Sequence, residues 1–184
     1  MVYNTLSYNE RSRTDLKRMV FAALFASLTA VGAYVKIPLP FTPVPVTMQV
    51  FFVLLAGSML GSRWGTISMI VYLLLGVVGF PVFAGGASGM GVLFGPTGGY
   101  LVGFIFAAFV TGKLLEILPK RSILKNFLCM IIGLIIIYLF GAFRLMSLAH
   151  LTFQQTMIAG VLPFIIGDLV TLMLAAFIAE RYEV

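Results

Sequence analysis

One carboxylate in this chain lies where a charge is expensive. Asp168 stands within the apolar segment PFIIGDLVTLML, whereas the other acidic residues stand near the ends of apolar segments. An ionisable side chain inside such a segment is by default a functional-site hypothesis, because burying it costs free energy. A carboxylate can accept two parallel N–H bonds from a urea-like or amidine-like ligand. We therefore expect Asp168 to bind a ligand or, alternatively, to bond a neighbouring helix, with Thr171 one turn further along the same face.

A second set of polar side chains could complete such a site. Gln49 follows a proline-rich stretch, and its amide both donates and accepts, which suits either a neutral polar ligand or helix packing. Thr47 precedes it as a candidate helix cap and ligand contact, and Tyr100 offers an aromatic ring face. Lys36 and Arg144 are candidates for binding a ligand carboxylate or, equally, for extending their charged ends to the membrane interface.

The segment from Gly79 to Phe104 holds nine glycines, two prolines and no charged residue. In a helix, glycine costs about 1 kcal/mol and proline about 3 kcal/mol relative to alanine. Backbone that is not helical at membrane depth survives only where it is buried in protein or lines a cavity. We expect this segment to form the wall and lid of a pocket, where Gly86 and Ala87 approach the ligand closely.

The composition predicts an all-α integral membrane protein with a single domain over residues 1–184. The chain is 61% hydrophobic and 10% charged, whereas a soluble domain is about a quarter charged. Its one cysteine, Cys129, lies in an apolar run, which excludes disulfides and thiolate metal sites, and no cofactor is indicated. The net charge of +6 does not indicate nucleic acid, because the basic residues are divided among the segment ends.

Six apolar segments approach the length of about 20 residues that a membrane-spanning helix needs. They predict a six-helix bundle with an N-terminal segment of about residues 1–17 and spans at about 18–36, 47–61, 64–82, 98–118, 123–146 and 157–180. In the first span, small residues recur at four-residue spacing and form a ridge of Ala22, Ala26 and Ala30. Such a ridge allows close helix approach, either within the bundle or to a partner.

The basic residues predict the orientation. Ten of the twelve Lys and Arg residues fall at the termini, between spans two and three, or between spans four and five, whereas Lys36 and Arg144 fall on the other side. The positive-inside rule then places both termini in the cytoplasm and the proline-rich and glycine-rich loops outside. A cleaved signal peptide at the first span is disfavoured, because its apolar run is long for that role.

Spans two, four and six then begin on the outer face. Their positive dipole ends would favour an anionic ligand group there. Thr47, Thr97 and Thr156 are candidate caps of these helices, and Pro163 suits a first-turn position.

Two enzyme motifs are considered and set aside. There is no Walker A loop, because Gly112-Lys113 is followed by Leu114, so the chain does not power transport itself. The motif from Gly86 to Gly89 resembles the Gly-x-Ser-Gly of rhomboid intramembrane proteases. However, the only histidine, His150, is predicted in a loop rather than on a helix near Ser88. We expect no enzymatic activity.

Three motifs together resemble the BioY family, the biotin-binding S-components of energy-coupling factor (ECF) transporters. They are PFTPVPVTMQ at 40–49, GFPVFAGG with FGPTGGYLVGF within 79–104, and GD at 167–168. The resemblance covers nearly the whole chain. It implies a multi-pass protein of the prokaryotic plasma membrane that captures biotin at its outer face. Its implied partners are a transmembrane coupling protein (T component) and two ABC ATPases.

The resemblance also implies residue roles. Asp168 matches the ligand-contacting aspartate of the family, and the ridge of Ala22, Ala26 and Ala30 matches the alanine pattern that docks to the coupling protein. Three positions differ from family members, which commonly have lysine, asparagine and arginine where this chain has Thr171, Ala87 and Leu101. Helix N-termini, Thr171, Lys36 or Arg144 would then hold the carboxylate of biotin, or the ligand is a related vitamer such as lipoate or dethiobiotin.

Overall fold

The computed structural model describes residues 2–118 and 122–182, with side chains from residue 14 onward, and these residues are mainly helical. Lys120 and Arg121, two of the basic residues that indicate the orientation, lie outside the described residues. In chain order the elements are α1 (Val2–Tyr34), β1 (Lys36–Ile37), β2 (Val46–Thr47), α2 (Gln49–Val78), α3 (Met90–Phe94), α4 (Gly98–Ile117), α5 (Ile123–Ala149), α6 (Phe153–Gly160) and α7 (Leu162–Arg181).

Within that part of the chain, five helices are long and apolar enough to cross a membrane, namely α1 from Thr14, α2, α4, α5 and α7. The prediction of a mainly helical protein with several membrane-length helices is confirmed, and β1 and β2 add a short two-stranded ribbon that the all-α prediction did not include. Two of the predicted spans lie close to the observed helices: α4 ends one residue before the end of the span predicted at 98–118, and α5 extends three residues beyond the one predicted at 123–146. The first helix begins well before the predicted start at residue 18, because the polar N-terminal segment is also helical.

The helix that differs most from the six predicted segments is α2. Its chain reverses direction instead of following one straight helical axis. Gly61 has φ 76° and ψ −178°, a left-handed backbone conformation that glycine adopts without a side-chain clash. A Cβ placed on Gly65 would lie 2.9 Å from the Cα of Gly57, although these residues are eight apart in sequence. In a continuous helix they would be about 12 Å apart. The predicted spans 47–61 and 64–82 therefore fall on two arms of one helical hairpin.

A carboxylate on α4 stabilises this reversal. The backbone N–H and the hydroxyl of Ser62 donate to Glu116 Oε1 over 2.7 and 2.9 Å. Glu116 thus satisfies a donor at the start of the second arm, where helices lack internal acceptors and favour negative charge. Lys113 forms a salt bridge with the same carboxylate at 3.7 Å. The two arms of α2 and the end of α4 are joined at this end of the molecule, which we call the Gly61 end.

The last predicted span, 157–180, is two helices. The chain breaks at Val161 (φ −133°, ψ −61°) between α6 and α7. The prediction that Thr156 caps a helix is wrong, because Thr152 begins α6 through a capping box with Gln155. Thr156 lies within α6, where its hydroxyl bonds the helix backbone. The first-turn position of Pro163 in α7 is confirmed.

The core forms around α4, which packs between α2 and α5. Ala107 and Ala108 of α4 are fully buried, and their small side chains let the neighbouring helices approach closely. The alanine ridge of α1 is part of the same packing. Ala22 and Ala26 are 3% and 1% exposed, Ala30 is half-buried, and Ser68 Oγ donates to the Ala22 carbonyl over 2.7 Å. Burial supports the internal-packing alternative for Ala22 and Ala26, and the docking role stays a prediction.

Candidate functional site

A cavity opens between the segment around β2, the glycine-rich loop and helices α4, α5 and α7. The space between these elements, including the part that is continuous with solvent, is about 590 Å³. Its walls are mainly apolar with a few polar groups, and they comprise Val44, Pro45, Val46, Thr47, Gln49, Val50, Phe83, Ala84, Thr97, Tyr100, Leu101, Phe104, Ile137, Tyr138, Phe164 and Asp168. We call it the inner cavity.

Asp168 lines the inner cavity, and α7 carries it there one and a half turns after Pro163. Its side chain is 6% exposed. The hydroxyl of Tyr138 on α5 donates to Asp168 Oδ2 over 2.6 Å, whereas Oδ1 has no hydrogen-bond partner within the described part of the chain. The two interpretations of Asp168 therefore coexist: one oxygen bonds a neighbouring helix, and the other is available to a ligand N–H donor.

Gln49 also lines this cavity, but its amide is already engaged. Thr47 Oγ1 donates to Gln49 Oε1 over 3.1 Å, and Gln49 Nε2 donates to the hydroxyl of Tyr72 on the second arm of α2. Tyr72 in turn donates to the carbonyl of Val82 over 3.1 Å. This chain of bonds ties the entry of α2 to the start of the glycine-rich loop, so it supports the packing alternative for Gln49 while leaving its side chain on the cavity wall.

Tyr100 lines the inner cavity, a position from which its ring could contact a ligand as predicted. Its hydroxyl donates to the carbonyl of Gly160, the last residue of α6, over 2.7 Å. The bond fixes the joint between α6 and α7, and α7 carries Asp168. Tyr100 thus shapes the site twice, through its ring in the wall and through the position of the helix opposite.

A second cavity lies at the protein surface beside the first. It is lined by Lys36, Pro43, Pro45, Ala84, Ala87, Gly91, Val92, Gly95, Pro96 and Thr97, several of which are exposed. We call it the surface cavity. Three residues, Pro45, Ala84 and Thr97, line both cavities, so the two are contiguous. The structure therefore places Lys36 and Ala87 in a cavity that adjoins the one lined by Asp168.

Three of the residues that the sequence suggested line neither cavity. Thr171 Oγ1 donates to the Asp168 carbonyl within α7 over 3.0 Å. The guanidinium of Arg144 donates to the Phe94 carbonyl at the end of α3, so it anchors the loop instead of facing the cavity. The N–H of Gly86 donates to the Phe83 carbonyl and closes a turn, and Gly86 lies beside the ring of Tyr34.

The pair that a serine protease would need is not assembled among the described residues. Ser88 is exposed in the glycine-rich loop, and His150 is exposed at the C-terminal end of α5, where it has φ 50°. No hydrogen bond links their side chains in the described structure. The geometry does not favour the rhomboid-like alternative.

Tyr138 and Tyr72 are the site residues that sequence reasoning missed. Both lie in apolar helical segments, where an aromatic residue is usually core or lipid-facing. The available signal was their hydroxyl group, since a buried tyrosine O–H generally needs an acceptor and therefore points toward other polar groups.

Fold and site together define a multi-pass membrane protein with a mainly apolar cavity whose wall includes a buried carboxylate. The chain belongs to the BioY family, whose model matches residues 7–184. It is 44% identical over 168 residues to a biotin transporter BioY from Thermotoga maritima, covering 91% of this chain and 96% of the relative. A probable biotin transporter BioY from Pyrococcus horikoshii is 42% identical over 167 residues, with 91% and 96% covered.

A solved structure has the same fold. The crystal structure of the S-component for biotin from an ECF-type ABC transporter superposes with a TM-score of 0.85 at 28% identity, covering 92% of each chain. The predicted membership of the BioY family is thus confirmed by the family model, the curated relatives and the fold.

Proposed function

We propose that this chain is the S-component of an ECF-type vitamin importer and that it captures biotin in the inner cavity. The observation that carries the proposal is the buried Asp168 carboxylate on a mainly apolar wall, whose Oδ1 accepts no hydrogen bond among the described residues. The ureido group of biotin supplies N–H donors for that oxygen, and its aliphatic tail matches the apolar wall. The relatives that are named biotin transporters and the solved S-component for biotin support the same ligand.

The proposed ligand contacts are Asp168, Gln49, Thr47 and Tyr100 in the inner cavity, with Ala87 and Lys36 at the surface cavity. Gly86 supports the turn beside them. We do not include Thr171 or Arg144 among the contacts, because their side chains bond backbone carbonyls elsewhere. The loop segment around residues 83–87 is proposed to cover the bound ligand.

A titration of the purified chain in lipid nanodiscs tests the function. Biotin is expected to bind with a dissociation constant below micromolar, and more tightly than dethiobiotin or lipoate. Tighter binding of dethiobiotin or lipoate would assign the chain to that vitamer, an alternative that Ala87, Leu101 and Thr171 raise because they differ from the common family residues. No measurable binding of biotin would overturn the proposal.

We propose further that the chain crosses the membrane six times with both termini in the cytoplasm. The reversal at Gly61 supports six crossings, because it gives α2 two antiparallel arms. The distribution of basic residues supports the orientation. Because Cys129 is buried, cysteines introduced at the exposed Ser88 and Arg63 can report it. A membrane-impermeant thiol reagent added to intact cells should label Ser88→Cys and not Arg63→Cys, and the reverse pattern would contradict this topology.

The proposed partners are a transmembrane coupling protein and two ABC ATPases in the prokaryotic plasma membrane. The chain has no Walker A motif with which to hydrolyse ATP itself. We also propose that it is not an enzyme, which the transporter relatives support. Ser88→Ala should leave biotin binding and uptake intact, whereas loss of uptake with normal binding would reopen a role for the serine.

A further inference from the structure

We propose that Lys36 binds the carboxylate of the ligand whose polar head bonds Asp168, so that the two contiguous cavities hold one molecule end to end. The inference rests on the proposed capture of a carboxylate vitamin. It assigns a basic side chain to the carboxylate end of the ligand. The uncharged residues Thr171, Ala87 and Leu101 provide no such charge.

The first observation is that the two cavities share part of their walls. Pro45, Ala84 and Thr97 line both cavities. Lys36 lines the surface cavity, and Asp168 lines the inner one. A ligand with its head at Asp168 would therefore extend its tail past these three residues toward Lys36.

The second observation is the direction of the lysine side chain. Lys36 in β1 pairs directly with Thr47 in β2 in an antiparallel ribbon. Directly opposed residues in such a pair project from the same face, with Cβ atoms about 4.5–5.5 Å apart. Thr47 lines the inner cavity and donates to Gln49. The side chain of Lys36 thus leaves the ribbon on the face that Thr47 turns to the site.

The third observation is the contact between Lys36 and the glycine-rich loop. A Cβ placed on Gly85 would lie 2.9 Å from Lys36 Nζ, and Gly85 has φ 72°. The Gly85 N–H is bonded to the Ala33 carbonyl over 3.0 Å, which holds the loop against the end of α1. The ammonium group of Lys36, an exposed residue, therefore lies beside the glycine-rich loop.

The charges around the two cavities suit a ligand with a polar N–H-bearing head and a carboxylate at its other end. Among the described residues, Lys113 and Glu116 form a salt bridge at the Gly61 end, and no salt bridge involves Lys36. A ligand carboxylate would be repelled by Asp168 in the inner cavity and attracted by Lys36 at the surface. The start of α4 at Thr97, which lines both cavities, adds the positive end of a helix dipole. Electrostatics therefore orients the ligand as well as binding it.

The competing basic residue is engaged elsewhere. The guanidinium of Arg144 donates to the Phe94 carbonyl, and Arg144 lines neither cavity. Lys36 is thus the basic residue that lines the contiguous cavities in the described part of the chain.

The test compares biotin with biotinamide, its uncharged analogue, on the full chain in nanodiscs. Lys36→Gln should weaken biotin by at least about tenfold, because a charge-assisted hydrogen bond is lost, and should leave biotinamide affinity unchanged. Lys36→Arg should retain biotin within about threefold. Arg144→Gln is the matched control, and its biotin-to-biotinamide affinity ratio should equal that of the wild type.

The alternatives give distinguishable results. Unchanged biotin affinity in Lys36→Gln, or an equal loss for biotin and biotinamide, would overturn the inference while leaving the proposed function in place. A selective loss of biotin in Arg144→Gln instead would assign the carboxylate to that residue. If the wild type binds only dethiobiotin or lipoate, the same comparison with that acid and its amide decides the role of Lys36. If the wild type binds none of the three, the proposed function and the inference both fail.

Discussion

The hydroxyl of Tyr138 donates a hydrogen bond to one oxygen of the Asp168 carboxylate, across the space between α5 and α7. This bond offsets part of the cost of burying the carboxylate. It also orients the carboxylate, whose second oxygen accepts no hydrogen bond from the residues that the structure describes. The site is therefore a positioned acceptor rather than an isolated charge.

Replacement of the carboxylate itself tests the acceptor. Asp168→Asn should weaken biotin by about 1.5–3 kcal/mol, roughly 10- to 150-fold, because N–H bonds to a charged acceptor are lost. Calorimetric titration measures the effect. Glu180→Gln, the same chemical change at an exposed position of the same helix, should leave the affinity unchanged. Equal affinity in wild type and Asp168→Asn would return Asp168 to a purely structural role.

Loss of the supporting hydroxyl should also weaken binding. Tyr138→Phe keeps the ring and removes the donor, so we expect biotin affinity to fall by about tenfold, the effect of one hydrogen bond to a charged group. In an Asp168→Asn background the same change should have a smaller effect, because neighbours in one network are not additive. Full additivity in this double-mutant cycle would show that Tyr138 acts independently of Asp168. The exposed Tyr182→Phe is the control.

The hairpin of α2 predicts a stability effect far from the ligand. Gly61→Ala should destabilise the protein by at least about 1 kcal/mol, because a side chain is disfavoured at positive φ and its Cβ would lie 2.7 Å from Glu116 Oε1. Thermal unfolding in detergent measures the loss. Gly167→Ala, at a helical position with no atom within 4 Å of the added Cβ, should be neutral or stabilising. Equal midpoints for the two variants would contradict the strained reversal.

Separate measurements of stability and of assembly with the coupling protein can show whether the alanine ridge of α1 packs inside the bundle or docks to that partner. Ala26 is 1% exposed, so Ala26→Leu should overpack the core and cost about 1–3 kcal/mol. Ala23→Leu, at an exposed position on the same helix, should leave the unfolding midpoint unchanged. If Ala26→Leu were as stable as wild type but failed to assemble with the coupling protein, the docking role would be supported and the packing role rejected.

A structural feature can be predicted from the sequence when its free-energy cost makes the residue pattern behind it rare. Asp168 could be found because an acid in an apolar helix is expensive and therefore rare. Tyr138 and Tyr72 could not, since tyrosine in an apolar segment is common and only the three-dimensional contacts show where each hydroxyl points. The helical segments followed from apolar length, which is a strong signal in a membrane protein.

The break at Val161 was missed for a different reason. The apolar run continues from α6 into α7 without a charged residue, so hydropathy alone predicts one helix. Two local signals were present: Thr152 with Gln155 three residues later forms a capping box, and Pro163 favours a first-turn position. Together they indicate two helix starts within about ten residues of each other. Capping patterns locate such joints better than hydropathy does.

One helix reaches both ends of the molecule. Tyr100 on α4 lines the inner cavity, and Glu116 on the same helix caps the reversal at the Gly61 end. Sixteen residues of α-helix separate them, roughly 24 Å. Because α4 connects these contacts without a break, we expect a displacement of the helix at Tyr100 to reach the Glu116 cap. The same helix therefore connects the candidate ligand cavity with the Gly61 end.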